Sequence, residues 1–256
     1  MLAETPLILP AGKAKGALLR RQTSYGTLKG VDKLEDRIDV IPDREWEELI
    51  RLRLPMRPYV KSILDQDGAG SCATEQTAGV IMALRTFTRP DEPHVLLNPW
   101  SMYAHTSGGR DNGSSLDENM RFAKDRGVLP DAVWPRAEHR WNEKAPQELW
   151  DKFGCYFRVD EVFDCASVAE VGTALLKGFF VGFGWRGHSC YLVDLLDSST
   201  ALYANSWGDW GDEGFGIIRL NSINFGYGAF ATRSVVDSRG LDVSTMLEYA
   251  GEAQGV

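Results

Sequence analysis

The 256-residue chain has only four cysteines and four histidines, and neither set is spaced for a metal. Cys72, Cys155, Cys165 and Cys190 contain no Cys-x-x-Cys pair and the histidines are scattered, so no zinc site, and no metal or other cofactor, is expected. Cys155 and Cys165 are the pair that oxidation could join, but free thiols are expected in a chain without an export signal. No apolar run approaches the ~20 residues of a bilayer-spanning helix, so no membrane span is expected. In the first sixteen residues the basic side chains follow a short apolar patch, the reverse of a secretory signal, which points to a cytoplasmic setting. There is no internal repeat and no low-complexity tract.

Positive charge is also short: 28 Lys and Arg stand against 36 Asp and Glu, for a net charge of −8. What there is concentrates at the start. Residues 1–33 hold six Lys or Arg against Glu4 and Asp32, a net +4, which leaves −12 for the remainder. The acidic body argues against nucleic acid as the main ligand. The basic arm is either a solvated segment or a contact for another subunit or an acidic partner. With 43% apolar and 25% charged residues, the chain can build one large domain or two packed halves around an ample core.

Periodicity divides the chain. Residues 1–41 lack it and are expected to form an extended arm, followed by a domain over 42–240 and a tail over 241–256. A short helix is expected after Pro42, ended by Pro55 and Pro58. From Ser71 a helix places Ala73, Val80, Leu84 and Phe87 on one face, until Pro90 and Pro93. A second begins near Asn98, and a third carries Leu116, Met120 and Ala123 up to Gly127. A fourth starts at Ser167, where Ser-x-x-Glu forms a capping box, and runs through Val168, Val171 and Leu175. After it come the short strand-like runs FFVGFGW, CYLVDLL, ALYANSW and FGIIRL. The fold class is therefore α+β, with a helical lobe over about 60–150 and a sheet lobe over about 151–240.

Chemistry concentrates in three places. Cys72 lies where the glycine-rich Asp67-Gly68-Ala69-Gly70 meets a helix start, where the helix dipole favours a thiolate. Gln66, six residues earlier, could join the Cys72 amide as an oxyanion donor. Taken alone, this segment fits a structural cysteine equally well. His188 follows Gly187 and opens a strand, and Asn205, seventeen residues on, could fix the tautomer of its ring. Trp207 could cover that hydrogen bond.

Asn205 to Phe215, Asn-Ser-Trp-Gly-x-Trp-Gly-x-x-Gly-Phe, resembles the signature of the papain-like cysteine peptidases, the cathepsin family. Gln66 six before Cys72, His188 before an apolar strand, and Asn112-Gly113-Ser114 in the place of the family's substrate-binding strand extend the resemblance over most of residues 60–220. It implies a two-lobed fold, with an antiparallel sheet or barrel in the second lobe and the active site between the lobes. It also implies a Cys72–His188–Asn205 triad assisted by Gln66, and hydrolysis of a peptide or polypeptide substrate through an acyl-enzyme. Asn112, Gly113, Ser114, Gly187 and Trp207 would then border the substrate. The departures are specific. Ala69 replaces the cysteine of a lobe-bracing disulfide, Ala73 replaces an aromatic, and Thr74-Glu75 replaces small apolar residues. Only about eight residues precede His188 where the family has some two dozen, which removes one wall of the specificity pocket. The arm is too short for the family's helical propeptide. A second reading is therefore a catalytically reduced fold serving as a structural component of an assembly such as a viral particle. A third is a cell-wall peptide hydrolase.

Overall fold

The computed structural model describes residues 3–20, 31–237 and 246. Most of the expected tail, and residues 21–30 of the expected arm, lie outside the described residues.

Along the chain, β1 (Ala17–Leu18) and β2 (Asp32–Lys33) precede the first helix, α1 (Trp46–Leu52). The helical region follows with α2 (Cys72–Thr88), β3 (Leu97–Asn98), α3 (Pro99–Thr106), β4 (Ser114–Ser115), α4 (Leu116–Asp125), β5 (Leu129–Pro130) and α5 (Gln147–Lys152). The sheet region contains β6 (Val159–Asp164), α6 (Val168–Leu176), β7 (Phe180–Trp185), β8 (His188–Leu195) and β9 (Thr200–Ala204). It closes with the short turn α7 (Trp210–Glu213), β10 (Phe215–Arg219) and β11 (Ala229–Val235).

Local signals account for the helix starts. Asn98 Oδ1 accepts from the Trp100 amide at 2.9 Å, with Pro99 pre-set for the first turn, and Ser115 Oγ accepts from the Glu118 amide at 3.3 Å. At α6 the Ser167 hydroxyl accepts from the Glu170 amide at 3.2 Å, and the Glu170 carboxylate reaches back to the Ala166 amide at 3.3 Å, one residue before the capping-box position. Helix α2 has no single buried face. It is enclosed on all sides from Cys72 to Arg85 and emerges only in its last turn, so Phe87, expected on the buried face, is 39% exposed. Helix α5 was not expected, because six residues are too few to show a period.

Seven strands form one sheet in the order β10-β9-β8-β7-β11-β6-β2. All neighbours are antiparallel except β2 and β6, which run parallel. The sheet is mixed and open, with β10 and β2 at its edges, so the barrel alternative is corrected: the strands do not close on themselves. Both faces of its centre are covered. Phe180, Tyr191, Val193 and Phe230 pack towards α2, while Val181, Phe183, Leu192 and Ala231 pack with Val171 and Leu175 of α6. That two-sided burial explains the nearly continuous apolar runs. Asp194 ties α1 to the sheet. Its carboxylate accepts from the Met56 and Arg57 amides at 2.9 and 3.1 Å and pairs with Arg53.

Two connections place the functional side chains. Trp185 pairs with His188 across the two-residue turn Arg186-Gly187, whose φ values of 52° and 78° suit a tight hairpin. This turn sets His188 at the first position of β8. At the other end, Asn205 directly follows β9 and is held by its amide to the Gly214 carbonyl at 2.9 Å.

Candidate active site

Cys72 is the first residue of α2, and its side chain is fully buried. His188 Nε2 lies 2.6 Å from Asn205 Oδ1. The same oxygen accepts from the Ser206 amide at 2.8 Å, so the Asn205 side chain presents its carbonyl and His188 Nε2 must carry the proton. His188 Nδ1 is then the basic nitrogen, and it is buried without a hydrogen-bond partner. Trp207 stacks on the imidazole at 4.3 Å between centroids and 21° between planes, shielding the His188–Asn205 bond from water. The three residues proposed as a triad are thus positioned by a helix start, a hairpin and a strand end.

Electrostatics differ from the expectation of a thiolate. Burial pushes the Cys72 thiol up to about 11, against which hydrogen bonds from the Gly16 and Ser189 amides act only weakly. Burial likewise pushes His188 down to about 4, although the bond to Asn205 opposes it. At neutral pH both groups are uncharged. Desolvation outweighs the helix dipole here.

An early segment of the chain lies against this site. Residues 13–20 run through the cleft between the helices and the sheet. The Lys13 ammonium pairs with Asp65 at 2.5 Å. The Ala14 carbonyl accepts from Gln66 Nε2 at 3.1 Å and from Trp207 Nε1 at 3.3 Å. The Gly16 amide donates to Cys72 Sγ at 3.3 Å, and the Gly16 carbonyl accepts from the Ser114 amide at 2.9 Å. The Ala17 amide donates to the Gly187 carbonyl at 3.1 Å, and β1 pairs in parallel with β4. Only glycine fits at the crossing. A Cβ on Gly16 would lie 1.9 Å from the Gly70 carbonyl oxygen, and one on Gly113, whose φ is +86°, would lie 1.9 Å from the Gly16 oxygen.

Every residue expected at the site therefore meets either the triad or the arm, except Asn112. Gln66, Gly187, Ser114 and Trp207 hydrogen-bond the arm and Gly113 touches it, while Asn112 is exposed on the rim of an open hollow that Leu18 and Arg110 also line. Gln66 is itself fixed, since its Oε1 accepts from Ser206 Oγ at 2.9 Å and Trp207 Nε1 at 3.1 Å. Other supports escaped notice in the sequence. Asp111 Oδ1 accepts from the Gly70 amide at 2.7 Å and from Tyr103 Oη at 2.8 Å, and that hydroxyl accepts from the Gly113 amide at 3.0 Å. One carboxylate thereby joins the loop before Cys72 to the segment that leads into β4. Among the described residues no group of His, Cys, Asp and Glu could hold a metal, all four cysteines are free, and no helix is long and apolar enough to cross a membrane.

A buried carboxyl group sits one turn beyond Cys72. Glu75 accepts from Ser71 Oγ at 3.0 Å, and Arg136, 3.3 Å away, is its cation. Arg136 also meets Asp67 at 3.2 Å, bonds the Asp65 carbonyl and lies 4.1 Å over the Trp100 ring. Burial pushes Glu75 up to about 7, above its unfolded value of 4.5, so ionising it opposes folding increasingly as pH rises between those values. Arg136→Ala is expected to cost up to about 3–5 kcal/mol at pH 8, where Glu75 is charged, and clearly less at pH 5.5, where it is protonated. Urea unfolding at the two pH values measures this. Equal losses would mean that Arg136 acts by packing alone.

No protein-family model matches the chain, and no curated protein matches it in sequence. Solved structures do, and the class they define is clear: the fold is that of the papain-like cysteine proteases. Xylellain, a cysteine protease from Xylella fastidiosa, superimposes with a TM-score of 0.66 at 16% identity, over 90% of this chain and all of that one. The proform of the Amb a 11 cysteine protease of ragweed gives 0.59 at 13% identity over 82% and 73%, and procathepsin B S9 of Trypanosoma congolense gives 0.58 at 15% over 87% of each.

Proposed function

We propose that the protein is a cysteine peptidase held latent by its own N-terminal segment. The observation that carries this reading is the state of His188, whose Nε2 proton is committed to Asn205 while Nδ1 is left without a partner, next to Ser189, whose amide bonds the Cys72 sulfur. With the arm displaced, Nδ1 takes the Cys72 proton and the thiolate attacks the acyl carbon of a peptide. The oxyanion forms where the Ala14 carbonyl now lies, against Gln66 Nε2 and the Cys72 amide. His188 returns the proton to the leaving amine and then activates the water that resolves the thioester.

The hydrogen bond that the arm makes to Cys72 Sγ comes from the Gly16 N–H, a donor. Side-chain preference within the cleft is open on the side of the Arg186-Gly187 turn.

The test is hydrolysis of an unfolded polypeptide by the full chain carrying Gly16→Val, which the cleft cannot accommodate, and by the same chain with Cys72→Ala. Cleavage by the first and none by the second is expected. A second reading, a non-catalytic component of a larger assembly, is favoured by one observation: the thiol is sealed by the chain itself. It becomes the better reading if the arm-displaced chain cleaves nothing while its Cys72 is freely labelled.

A further inference from the structure

At the far end of the cleft segment, Arg20 is bound in a way that the latency of Cys72 does not require. Its guanidinium lies between two carboxylates from different parts of the fold, Asp117 in the first turn of α4 and Asp164 at the end of β6. Nη2 and Nη1 meet the two oxygens of Asp164 at 2.6 and 3.1 Å. Nη2 donates to Asp117 Oδ1 at 2.8 Å and Nε to Asp117 Oδ2 at 3.2 Å. The Phe230 ring lies beneath, 5.2 Å from the guanidinium carbon. Two fork-on-fork pairs and an aromatic floor suit a planar, five-donor cation and not a point charge.

The carboxylates are costly to leave empty. Asp164 is 6% exposed, and burial raises its pKa even with Arg20 in place. Arg20 itself is held charged more firmly than usual, because its bonds to Asp164 and Asp117 outweigh its own burial. If the arm leaves, a buried acid and a half-buried one face each other across the space vacated by the guanidinium, beside the Ser114 strand that binds the arm's backbone. Because the arm itself occupies the path a peptide would take, Arg20 marks where a peptide's side chain can reach.

We propose that Asp117 and Asp164 form a recognition site for the arginine side chain of a peptide bound in the cleft, a site that Arg20 fills while the arm is in place. This rests on the peptidase reading for its occupant, but the carboxylate pair can be tested without catalysis.

Two measurements on the full chain separate the two claims. In the first, Arg20→Ala empties the site, and methylguanidinium is titrated at millimolar concentration while thermal unfolding is followed. The expected result is a rise in Tm that is absent from the parent chain and from Arg20→Ala combined with Asp117→Asn and Asp164→Asn. In the second, the Gly16→Val chain is given fluorogenic peptides in which a single arginine is moved stepwise through otherwise neutral positions. One position should raise kcat/KM by about 10–100-fold over glutamine, the worth of a charge-assisted pair, with lysine intermediate and the gain lost on Asp117→Asn. Hydrolysis without an arginine preference, or Arg20→Ala that is insensitive to methylguanidinium, overturns the recognition site and leaves the peptidase intact. Selective methylguanidinium binding with no hydrolysis of any peptide supports the site and overturns the peptidase.

Discussion

Gly16→Val in the full chain is expected to raise the alkylation rate of Cys72 by about a hundredfold. The substitution acts where the arm passes closest to the loop before Cys72, since even the first side-chain carbon would sit 1.9 Å from the Gly70 carbonyl oxygen. Gly70 cannot give way easily, because its amide is held by Asp111 and a Cβ placed on it would itself lie 3.1 Å from the Gly113 amide. The arm must therefore lift. Cys72 then loses the Gly16 cover and its thiol falls from about 11 towards the ordinary 9.0. Two units correspond to roughly a hundredfold more thiolate at neutral pH, and freed access adds to it. Iodoacetamide labelling followed by peptide mass mapping reads the rate, with the half-exposed Cys155 as internal reference. Equal labelling of Cys72 in the parent and the variant would show that the arm is not the barrier.

Cys72, His188 and Asn205 stood out as candidates because they fall in a signature of fixed spacing. His188 was expected at a strand start and Asn205 at a strand end, as found, whereas the Arg186-Gly187 hairpin was not anticipated. The arm was not legible, because its grip is made of backbone. Gly16 is an unremarked glycine in sequence, and the two-residue pairing of β1 with β4 has no periodicity to show. Nor could the bond between Arg20 and Asp164 be seen, since 144 positions separate them and each has an ordinary surface composition. The same limit applies to the sheet. Nearly continuous apolar runs indicated strands, but nothing in them shows whether the sheet closes, and its parallel edge pair of Asp32–Lys33 with Phe163–Asp164 is four residues without a pattern of their own. The thiolate expectation failed for a different reason. A helix start supplies only a fraction of a charge, and full desolvation of the sulfur is the larger effect.

The largest loss of function is expected from His188→Ala, and pH separates its two roles. In the Gly16→Val background the change should lower kcat/KM for peptide hydrolysis by ~10²–10⁴-fold at pH 7, the range for a positioned acid–base group. Alkylation of Cys72 should fall as well, because no Nδ1 remains to take the thiol proton. Raising the pH towards 10 supplies thiolate without a base, so alkylation should recover towards that of the His188-bearing chain. Hydrolysis should not recover, because the leaving amine still lacks the imidazolium that protonates it, and hydroxide cannot substitute for an acid. Asn205→Ala should show a smaller form of the same split. Its oxygen fixes the Nε2 proton, so its loss lets the ring take the other tautomer and point N–H at the sulfur in part of the molecules. If His188→Ala left hydrolysis unchanged, or if hydrolysis recovered together with alkylation at high pH, the imidazole would have no part in expelling the amine and the triad assignment would fail.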